Sequence, residues 1–186
     1  MKPGRRALGI AESFTREDDK STLAGAVVRA DRVVDGIAFD ACTVGGTDVT
    51  AAIVRLYRQF DREDIRYVVL AGVALAWYNI VDLETVAAET DRPVIAVTFE
   101  ASQGLESALQ AAFEGEQLED RVTQYRQLPT RQPVDLNGET VYARSVGLDE
   151  PETRRVLAAY TPEGGRPEPV RVARLAARGA ARLRQR

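Results

Sequence analysis

The sequence predicts an α/β protein whose mixed sheet joins a three-strand antiparallel meander to parallel β-α-β units, with helices on its flanks. Three short strand-like segments come before any convincing helix: residues 7–10, 24–29 and 32–39. Two apolar runs rich in β-branched residues follow at residues 67–70 and 94–98, with a helical segment at 82–90 between them. Such runs suit strands buried on both faces, and the helix between them suits a right-handed parallel crossover.

The connections around the first helix support this order. Residues 30–31 form a short polar join between the second and third strand segments, which predicts a hairpin. Thr47 or Asp48 can cap the helix that follows, because apolar residues recur at helical spacing from Val49 to Phe60. The first parallel β-α-β unit therefore begins only after the meander.

The second half of the chain is predicted to be mostly helical. Its elements are, in order, helical segments at residues 105–113 and 118–128, a loop at 128–139, a modest strand at 140–144, and two helices that open with Pro151 and Pro169. Three strands before the first helix, followed by alternation, is the order of the ribonuclease-H-like fold. A doubly wound nucleotide-binding sheet would alternate from the start.

Length and composition bound the organisation of the chain. The 186 residues, 45% of them hydrophobic, suffice for one buried core, so we expect a single domain over residues 1–186. No run of about 18 consecutive apolar residues occurs, and the first residues lack the apolar segment of a secretory signal. We therefore expect a cytosolic protein without a membrane partner.

The absence of His and the scarcity of Cys exclude several kinds of site. Without His there is no serine-histidine triad, no imidazole base and no His-containing metal site. Cys42 is the single Cys, so no intrachain disulfide and no zinc site built from several Cys can form. A metal site would have to use carboxylates, which suit Mg²⁺ or Mn²⁺.

Four carboxylates lie at predicted strand ends or helix starts: Glu12, Asp48, Asp82 and Glu100. Phosphodiester hydrolysis without His needs several acidic groups gathered around one or two divalent ions. Each of these residues taken alone is more often a helix cap or a solvated side chain. The metal-site hypothesis therefore requires that the four converge.

A glycine turn precedes the first predicted helix. The amides of Gly45 and Gly46, with Thr47 beside them, can turn toward an anion at a helix start. The spacing is not that of a Walker loop and no Lys follows, so a tight strand-to-helix turn explains these residues equally well. Trp77 lies beside the predicted site and offers a surface on which a base can stack.

The last helix carries a row of arginines at steps of three, four and four residues: Arg171, Arg174, Arg178 and Arg182. These side chains share one helix face, which is either merely solvated or contacts the phosphates of a nucleic acid. The opposite face is expected to meet the core through its apolar residues: Val172, Leu175, Ala176 and Leu183.

Five segments carry a resemblance to a known family. They read LGIAES, TVGGTDVT, GVALAWYNIVD, RPVIAVTFEASQGLE and GRPEPVRVARLAAR. Together they resemble the archaeal proteins called endonuclease dU, over nearly the whole chain. That family is a divergent relative of endonuclease V, a Mg²⁺-dependent nuclease of the ribonuclease-H-like fold that incises DNA or RNA near deaminated bases. The resemblance implies a metal-dependent endonuclease for deoxyuridine-containing DNA, with a role in DNA repair.

The resemblance also shows departures from endonuclease V. That enzyme has Asp on its first strand where this chain has Ala11, with Glu12 next to it, and Asp on its central strand where this chain has Ala71. Its C-terminal Ala-Asp becomes Ala-Arg, ending at Arg174. Its catalytic Glu corresponds to Asp48, and a glycine turn replaces its Pro-Tyr-Ile-Pro wedge. The metal ligands of endonuclease V are therefore not simply repeated here.

Three functions remain open at this stage. In the first, the chain is an endonuclease with catalytic Glu12, Asp48 and Asp82 and with Mg²⁺ or Mn²⁺ held by Glu12, Asp48 and Glu100. In the second, it binds nucleic acid without cutting, through these residues: Gly45, Gly46, Thr47, Trp77, Arg171, Arg174 and Arg178. In the third, the glycine turn alone binds a small anion or a nucleotide.

Overall fold

The computed structural model describes residues 1–15 and 17–184 of the chain. The strands are β1 (Arg6–Ser13), β2 (Lys20–Arg29), β3 (Val34–Thr43), β4 (Ile65–Leu70), β5 (Asn79–Ile80), β6 (Val94–Thr98), β7 (Gln132–Leu136) and β8 (Glu139–Val146). The helices are α1 (Val49–Arg58), α2 (Leu75–Tyr78), α3 (Leu83–Thr90), α4 (Glu106–Ala112), α5 (Gly115–Gln127), α6 (Glu150–Tyr160) and α7 (Glu168–Arg184).

Seven strands form one mixed sheet in the order β3-β2-β1-β4-β6-β8-β7. The first three strands pair antiparallel, β1 pairs parallel with β4, and β4 pairs parallel with β6. Ile10 lies opposite Leu70, so the first and central predicted strands are neighbours, as expected. The predicted ribonuclease-H-like arrangement of a meander and parallel β-α-β units is therefore confirmed.

The loop predicted at residues 128–139 is wrong, because it contains β7. This strand forms a hairpin with β8, which in turn pairs antiparallel with β6. Asn137 and Gly138 connect the two strands with φ angles of 51° and 84°. Two positive φ angles are typical of a type I′ turn, for which Asn-Gly is a preferred sequence. That dipeptide was the local signal for the hairpin.

Helices cover both faces of the sheet. On one face, α1 and α3 pack Ile53 and Leu83 into a core with Ile10 of β1. On the other face, Leu157 of α6 and Val170 of α7 join a second core. Among the described residues, no helix combines the length and the apolar character needed to cross a membrane.

The core-facing side predicted for α7 is wrong. Leu175 and Leu183 are 56% and 73% exposed, and the buried residues are mainly small ones: Pro169, Val170, Ala173, Ala177 and Ala181. The reason is a close approach to β1, since a Cβ added at Gly9 would lie 2.1 Å from the carbonyl carbon and oxygen of Pro169. At this distance only small side chains fit between helix and sheet.

Candidate functional site

A cavity of about 340 Å³ lies where β4 and β6 end. Ala71 follows β4, Thr98 ends β6, and β8 adds side chains from the neighbouring antiparallel strand. Four arginines, which we call the arginine pocket, line this cavity: Arg131, Arg144, Arg166 and Arg174. Sites in open sheets with parallel strands form at the carboxyl ends of those strands, which is where this cavity lies.

Two of the pocket arginines are held from behind by oxygen atoms. Arg131 donates hydrogen bonds to Thr98 Oγ1 (3.0 Å) and to the carbonyl oxygen of Ser102 (2.9 Å), and its guanidinium lies 4.0 Å from the centroid of the Tyr142 ring. Arg144 donates to the Tyr125 hydroxyl (3.2 Å) and to the Pro129 carbonyl oxygen. Neutral acceptors fix these side chains in place and leave their positive charges uncompensated.

The other two pocket arginines have still fewer partners. Arg166 lies over the Phe99 ring at 4.4 Å from its centroid. The Nε atom of Arg174 is buried and has no hydrogen-bond partner among the described residues. Burial lowers the pKa of Arg174, and the charge of Glu12 partly offsets this, although a guanidinium remains charged near neutral pH.

Glu12 lies near Arg174 at the end of β1. It is half-buried and accepts a 3.4 Å hydrogen bond from the Ser21 hydroxyl and another from the backbone amide of Ala76. Burial raises the pKa of Glu12, while the charge of Arg174 and these hydrogen bonds partly counteract the rise. Strand alternation places Glu12 on the face of Ile10, opposite to the face of Ala11.

The oxygens of Asp48 are all engaged. They accept hydrogen bonds from the Thr43 amide (2.9 Å), the Thr43 hydroxyl (2.8 Å) and the side-chain nitrogen of Asn79 (2.9 Å). Burial alone would raise the pKa of Asp48, but these hydrogen bonds outweigh it and hold the pKa below its usual value. Asp48 stands at the N-cap position of α1, yet its side chain caps no amide of that helix.

The glycine turn is closed toward the protein. The Gly45 amide donates to the Ala76 carbonyl oxygen (2.8 Å), and the Gly46 amide donates to the Thr43 carbonyl oxygen (3.1 Å). Arg121 of α5, only 3% exposed, donates to the carbonyl oxygens of both glycines. Because both amides are engaged, the turn lacks the free donors on which the small-anion hypothesis depends.

An aromatic elbow at residues 76–78 packs against this turn. Ala76, Trp77 and Tyr78 have φ angles of 47°, 58° and 61°, in the left-handed region that costs about 1–2 kcal/mol for each L-residue. The Trp77 ring lies over Gly45, where an added Cβ would be 3.0 Å from a ring carbon, and it remains 45% exposed. Phe113 contacts the same ring with a centroid distance of 5.5 Å.

The four predicted carboxylates do not converge on one point. Asp82 caps α3, because its oxygens accept hydrogen bonds from the amide and the hydroxyl of Thr85. Glu100 is exposed at the cavity. Glu12 and Asp48 both lie near Cys42, whose pKa is raised to about 12 by burial and by their two charges. Among the described residues, no group of three or more His, Cys, Asp or Glu side chains is placed to hold a metal ion.

The arginine row of α7 divides into different environments. Arg171 pairs with Glu168 at 2.6 Å, so its charge is neutralised within the helix. Arg174 turns into the pocket, whereas Arg178 and Arg182 are exposed. Thr47, also predicted to contact nucleic acid, is exposed beside the glycine turn. The row is therefore not one uniform cationic face.

Several site residues were missed by sequence reasoning. Arg131 directly precedes the β7–β8 hairpin, and Arg144 lies within it. Recognising the Asn-Gly turn of this hairpin would have placed both residues beside β6. Arg121 and Asn79 are polar residues that become fully buried, at 3% and 0% exposure. No local pattern marks them, because the contacts that tie them to the site are distant in the chain: Asp48 lies 31 residues from Asn79, and Gly45 lies 76 residues from Arg121.

Comparison with known proteins finds relatives that match this chain over nearly its whole length. The sequence profile of the family described as Endonuclease dU matches residues 3–181. A "UPF0215 protein" of Pyrobaculum calidifontis is 37% identical over 174 residues, which cover 92% of this chain and 94% of that relative. The crystal structure of a protein of unknown function from Archaeoglobus fulgidus superposes with a TM-score of 0.82 and 27% identity, covering 94% of this chain and 97% of the other.

A more distant likeness concerns the fold alone. Ciona intestinalis endonuclease V, solved in complex with a 24mer DNA containing an inosine followed by a ribo-adenosine, superposes with a TM-score of 0.63 and 7% identity. The match covers 96% of this chain and 86% of the endonuclease V chain. By fold and by sequence over nearly its whole length, this chain belongs to the endonuclease dU family.

Proposed function

We propose that this chain is a nuclease acting on deoxyuridine-containing DNA, and that the strand meets the protein at the arginine pocket. The observation that carries the proposal is the cluster of four arginines at the carboxyl ends of β4 and β6. Phosphate groups are the natural ligands of such a cluster, because guanidinium matches them in charge and in hydrogen-bond geometry. The family description, Endonuclease dU, supports deoxyuridine as the lesion. The Ciona endonuclease V complex, whose DNA contains inosine, supports DNA as the partner.

Within this proposal the chain supplies binding groups and one carboxylate suited to proton transfer. The arginine pocket holds a phosphate, and the exposed Trp77 ring stacks on an unpaired base. Glu12 is the side chain that takes a proton from the attacking water, because it is half-buried near Arg174 and burial raises its pKa above the usual value of 4.5. Arg174 lies near Glu12 and links the phosphate site to this carboxylate.

The side chains present do not fit a divalent ion of the endonuclease V kind. Asp48 is saturated with donors and Asp82 caps a helix, and among the residues that the structure describes no third acidic side chain joins Glu12 and Asp48 in a metal-binding group. We therefore derive no step through a metal ion. The predicted dependence on Mg²⁺ or Mn²⁺, and the assignment of Glu12, Asp48 and Glu100 as metal ligands, remain predictions for experiment.

A binding protein without nuclease activity is the second candidate, and one observation favours it. Positions 11, 71 and 174, where endonuclease V has carboxylates, hold Ala, Ala and Arg. A protein with this site retains phosphate affinity but lacks the acidic groups that usually support hydrolysis.

An incision assay separates the two functions. Purified protein is incubated with end-labelled oligonucleotides carrying uracil, hypoxanthine or no lesion, in Mg²⁺, Mn²⁺ or EDTA. Incision at uracil supports the nuclease, and the comparison of Mg²⁺, Mn²⁺ and EDTA shows whether that incision requires a metal ion. Retention on a native gel without product supports the binding protein instead. Glu12→Gln tests the proton-transfer role, and Glu150→Gln, an exposed residue of α6, serves as the matched control.

A further inference from the structure

The charge balance of the arginine pocket is unusual for a half-enclosed cavity. Four arginines line it, and the one carboxylate among its lining residues is the exposed Glu100. Every ion pair among the described residues involves a cation other than these four. A cleft lined by one sign of charge focuses the field and concentrates ions of the opposite sign.

Arg174 shows the cost of leaving this charge without a partner. Its Nε atom is buried and has no hydrogen-bond partner among the described residues, and an unsatisfied buried donor destabilises a protein. Burial lowers the pKa of Arg174, the charge of Glu12 opposes this, and the positive charges of Arg166 and Arg178 add repulsion. An incoming anion would supply the missing negative charge.

Size and wall chemistry narrow the kind of anion. The cavity volume of about 340 Å³ is at the lower end of the range for small-ligand sites, which suits one nucleotide and excludes a length of duplex. Three aromatic rings also line it, those of Phe99, Tyr125 and Tyr142. A phosphate with a base attached would use both the guanidinium groups and the ring surfaces.

We propose that the arginine pocket binds the phosphate of a single nucleotide directly through its guanidinium groups, with no metal ion as a bridge. This inference rests on the proposed function and names the chemistry of that same site. Arg174 stands where the resemblance to endonuclease V leads one to expect a carboxylate, and the carboxylates that remain do not form a metal-binding group. Arginine thus supplies the positive charge that a divalent ion would otherwise bring.

Calorimetric titration tests this with deoxyuridine 5′-monophosphate as the probe. Binding should be the same in EDTA and in Mg²⁺, and deoxyuridine without its phosphate should bind at least about tenfold more weakly. Affinity that appears only with Mg²⁺ overturns the inference, as does equal affinity for deoxyuridine. Inorganic phosphate that binds as tightly as the nucleotide overturns the part concerning the base.

Variants of α7 locate the site. Arg174→Ala should weaken binding of the nucleotide roughly 10- to 100-fold, and Arg174→Lys should restore only part of it, because lysine lacks the planar fork. Arg182→Ala, exposed on the same helix and outside the cavity, is the matched control and should leave affinity unchanged. Unchanged affinity in both Arg174 variants, with normal thermal unfolding, contradicts the proposal.

Two further measurements identify the source of the phosphate and distinguish failure of this inference from failure of the proposed function. Competition by an oligonucleotide with a 5′-phosphate but not by its 5′-hydroxyl counterpart assigns the pocket to a strand end. Equal competition assigns it to an internal phosphate, and competition by neither assigns it to the free nucleotide. If the protein binds the nucleotide but does not incise uracil DNA, only the proposed nuclease activity is contradicted. If it incises uracil DNA but does not bind the nucleotide in EDTA, only this inference is contradicted.

Discussion

The two ends of the sheet use the same residue type in opposite ways. At the amino ends of β1 and β4, Arg6 and Arg62 pair with Asp35 and Asp64 at distances between 2.5 and 3.5 Å. These guanidinium groups lower the pKa of both aspartates. At the carboxyl ends, the arginines of the pocket form no ion pair with any residue that the structure describes.

This difference separates structural cations from functional ones. Paired arginines at the amino ends connect strands whose positions are already fixed by the sheet. Their side chains are partly buried near the surface, where ion pairs contribute little stability. The pocket arginines have no ion-pair partner within the described part of the chain, and under the proposed function an anionic ligand supplies their counter-charge. A count of arginines along the sequence cannot distinguish the two groups, because the difference lies in the acceptors around them.

The largest expected effect comes from a substitution that disrupts the packing of α7 against β1, since α7 carries Arg174 to the carboxyl ends of the strands. Gly9→Ala should lower the free energy of unfolding by about 3 kcal/mol, because the new Cβ would lie 2.1 Å from the Pro169 backbone. Urea denaturation measures the loss. Gly179→Ala, on α7 with open space around it, is the control and should be as stable as wild type or up to about 1 kcal/mol more stable. Equal stability of Gly9→Ala and wild type would contradict the close packing.

A second prediction tests whether Asp48, whose carboxylate oxygens are fully hydrogen-bonded, has a structural role. Asp48→Ala should cost about 2 kcal/mol of stability, because the buried Asn79 side chain and the Thr43 amide lose their acceptor. Denaturation curves check this, with Glu100→Ala as the exposed counterpart expected to change little. If Asp48→Ala were fully stable but inactive in the incision assay, Asp48 would be a ligand and the structural role would be wrong.

The comparison of the two ends is tested directly by a pair of single-arginine variants. Arg62→Ala should lose about 0.5–1 kcal/mol of stability and keep its affinity for an oligonucleotide. Arg166→Ala should keep its stability, and the slope of log affinity against log salt should flatten by about 0.7 to 0.9. Denaturation and binding across a salt series supply the two measurements. Identical behaviour of the two variants would remove the distinction between the ends.

The smallest effect is a pH dependence due to Glu12. Its folded-state pKa lies above the ordinary value of 4.5, because burial favours the protonated form. Its contribution to the free energy of unfolding is therefore complete below pH 4.5 and is lost as the pH rises through the folded-state pKa. The stability of wild type relative to Glu12→Gln should fall over that interval in urea titrations. A difference that rises with pH would show that the pKa is lowered instead.

Most of the sheet could be predicted from the sequence, because its central strands are continuous β-branched runs. The β7–β8 hairpin was missed since Pro133 and Asp135 are residue types that are depleted in strands, although they alternate with buried Val134 and Leu136. The clearest local signal was the Asn137-Gly138 turn. The buried face of α7 was missed for another reason. Pattern analysis gives weight to large apolar residues, whereas the close approach at Gly9 selects alanines.

The candidate site was harder to predict than the fold. Arg174 was identified from its helix, but its inward direction depends on the packing of α7 against β1. The roles of Asp48 and Asp82 depend on which donors surround them, and the sequence does not show that Asn79 reaches Asp48 across 31 residues. The spacing of residues along the chain indicates which side chains share a helix or strand face. Whether a carboxylate already has all its hydrogen-bond donors depends on the folded structure.

The aromatic elbow has a consequence for motion. Three successive left-handed residues store backbone strain, and regions that carry strain need less free energy to open locally. If residues 76–78 relax, the Gly45 amide loses its acceptor at Ala76 and Glu12 loses a donor in the same event. Amide hydrogen exchange should therefore be faster at the elbow than in the strands on either side. The part of the site that holds Glu12 would then open locally as one unit, and the free energy of this opening would be well below that of global unfolding.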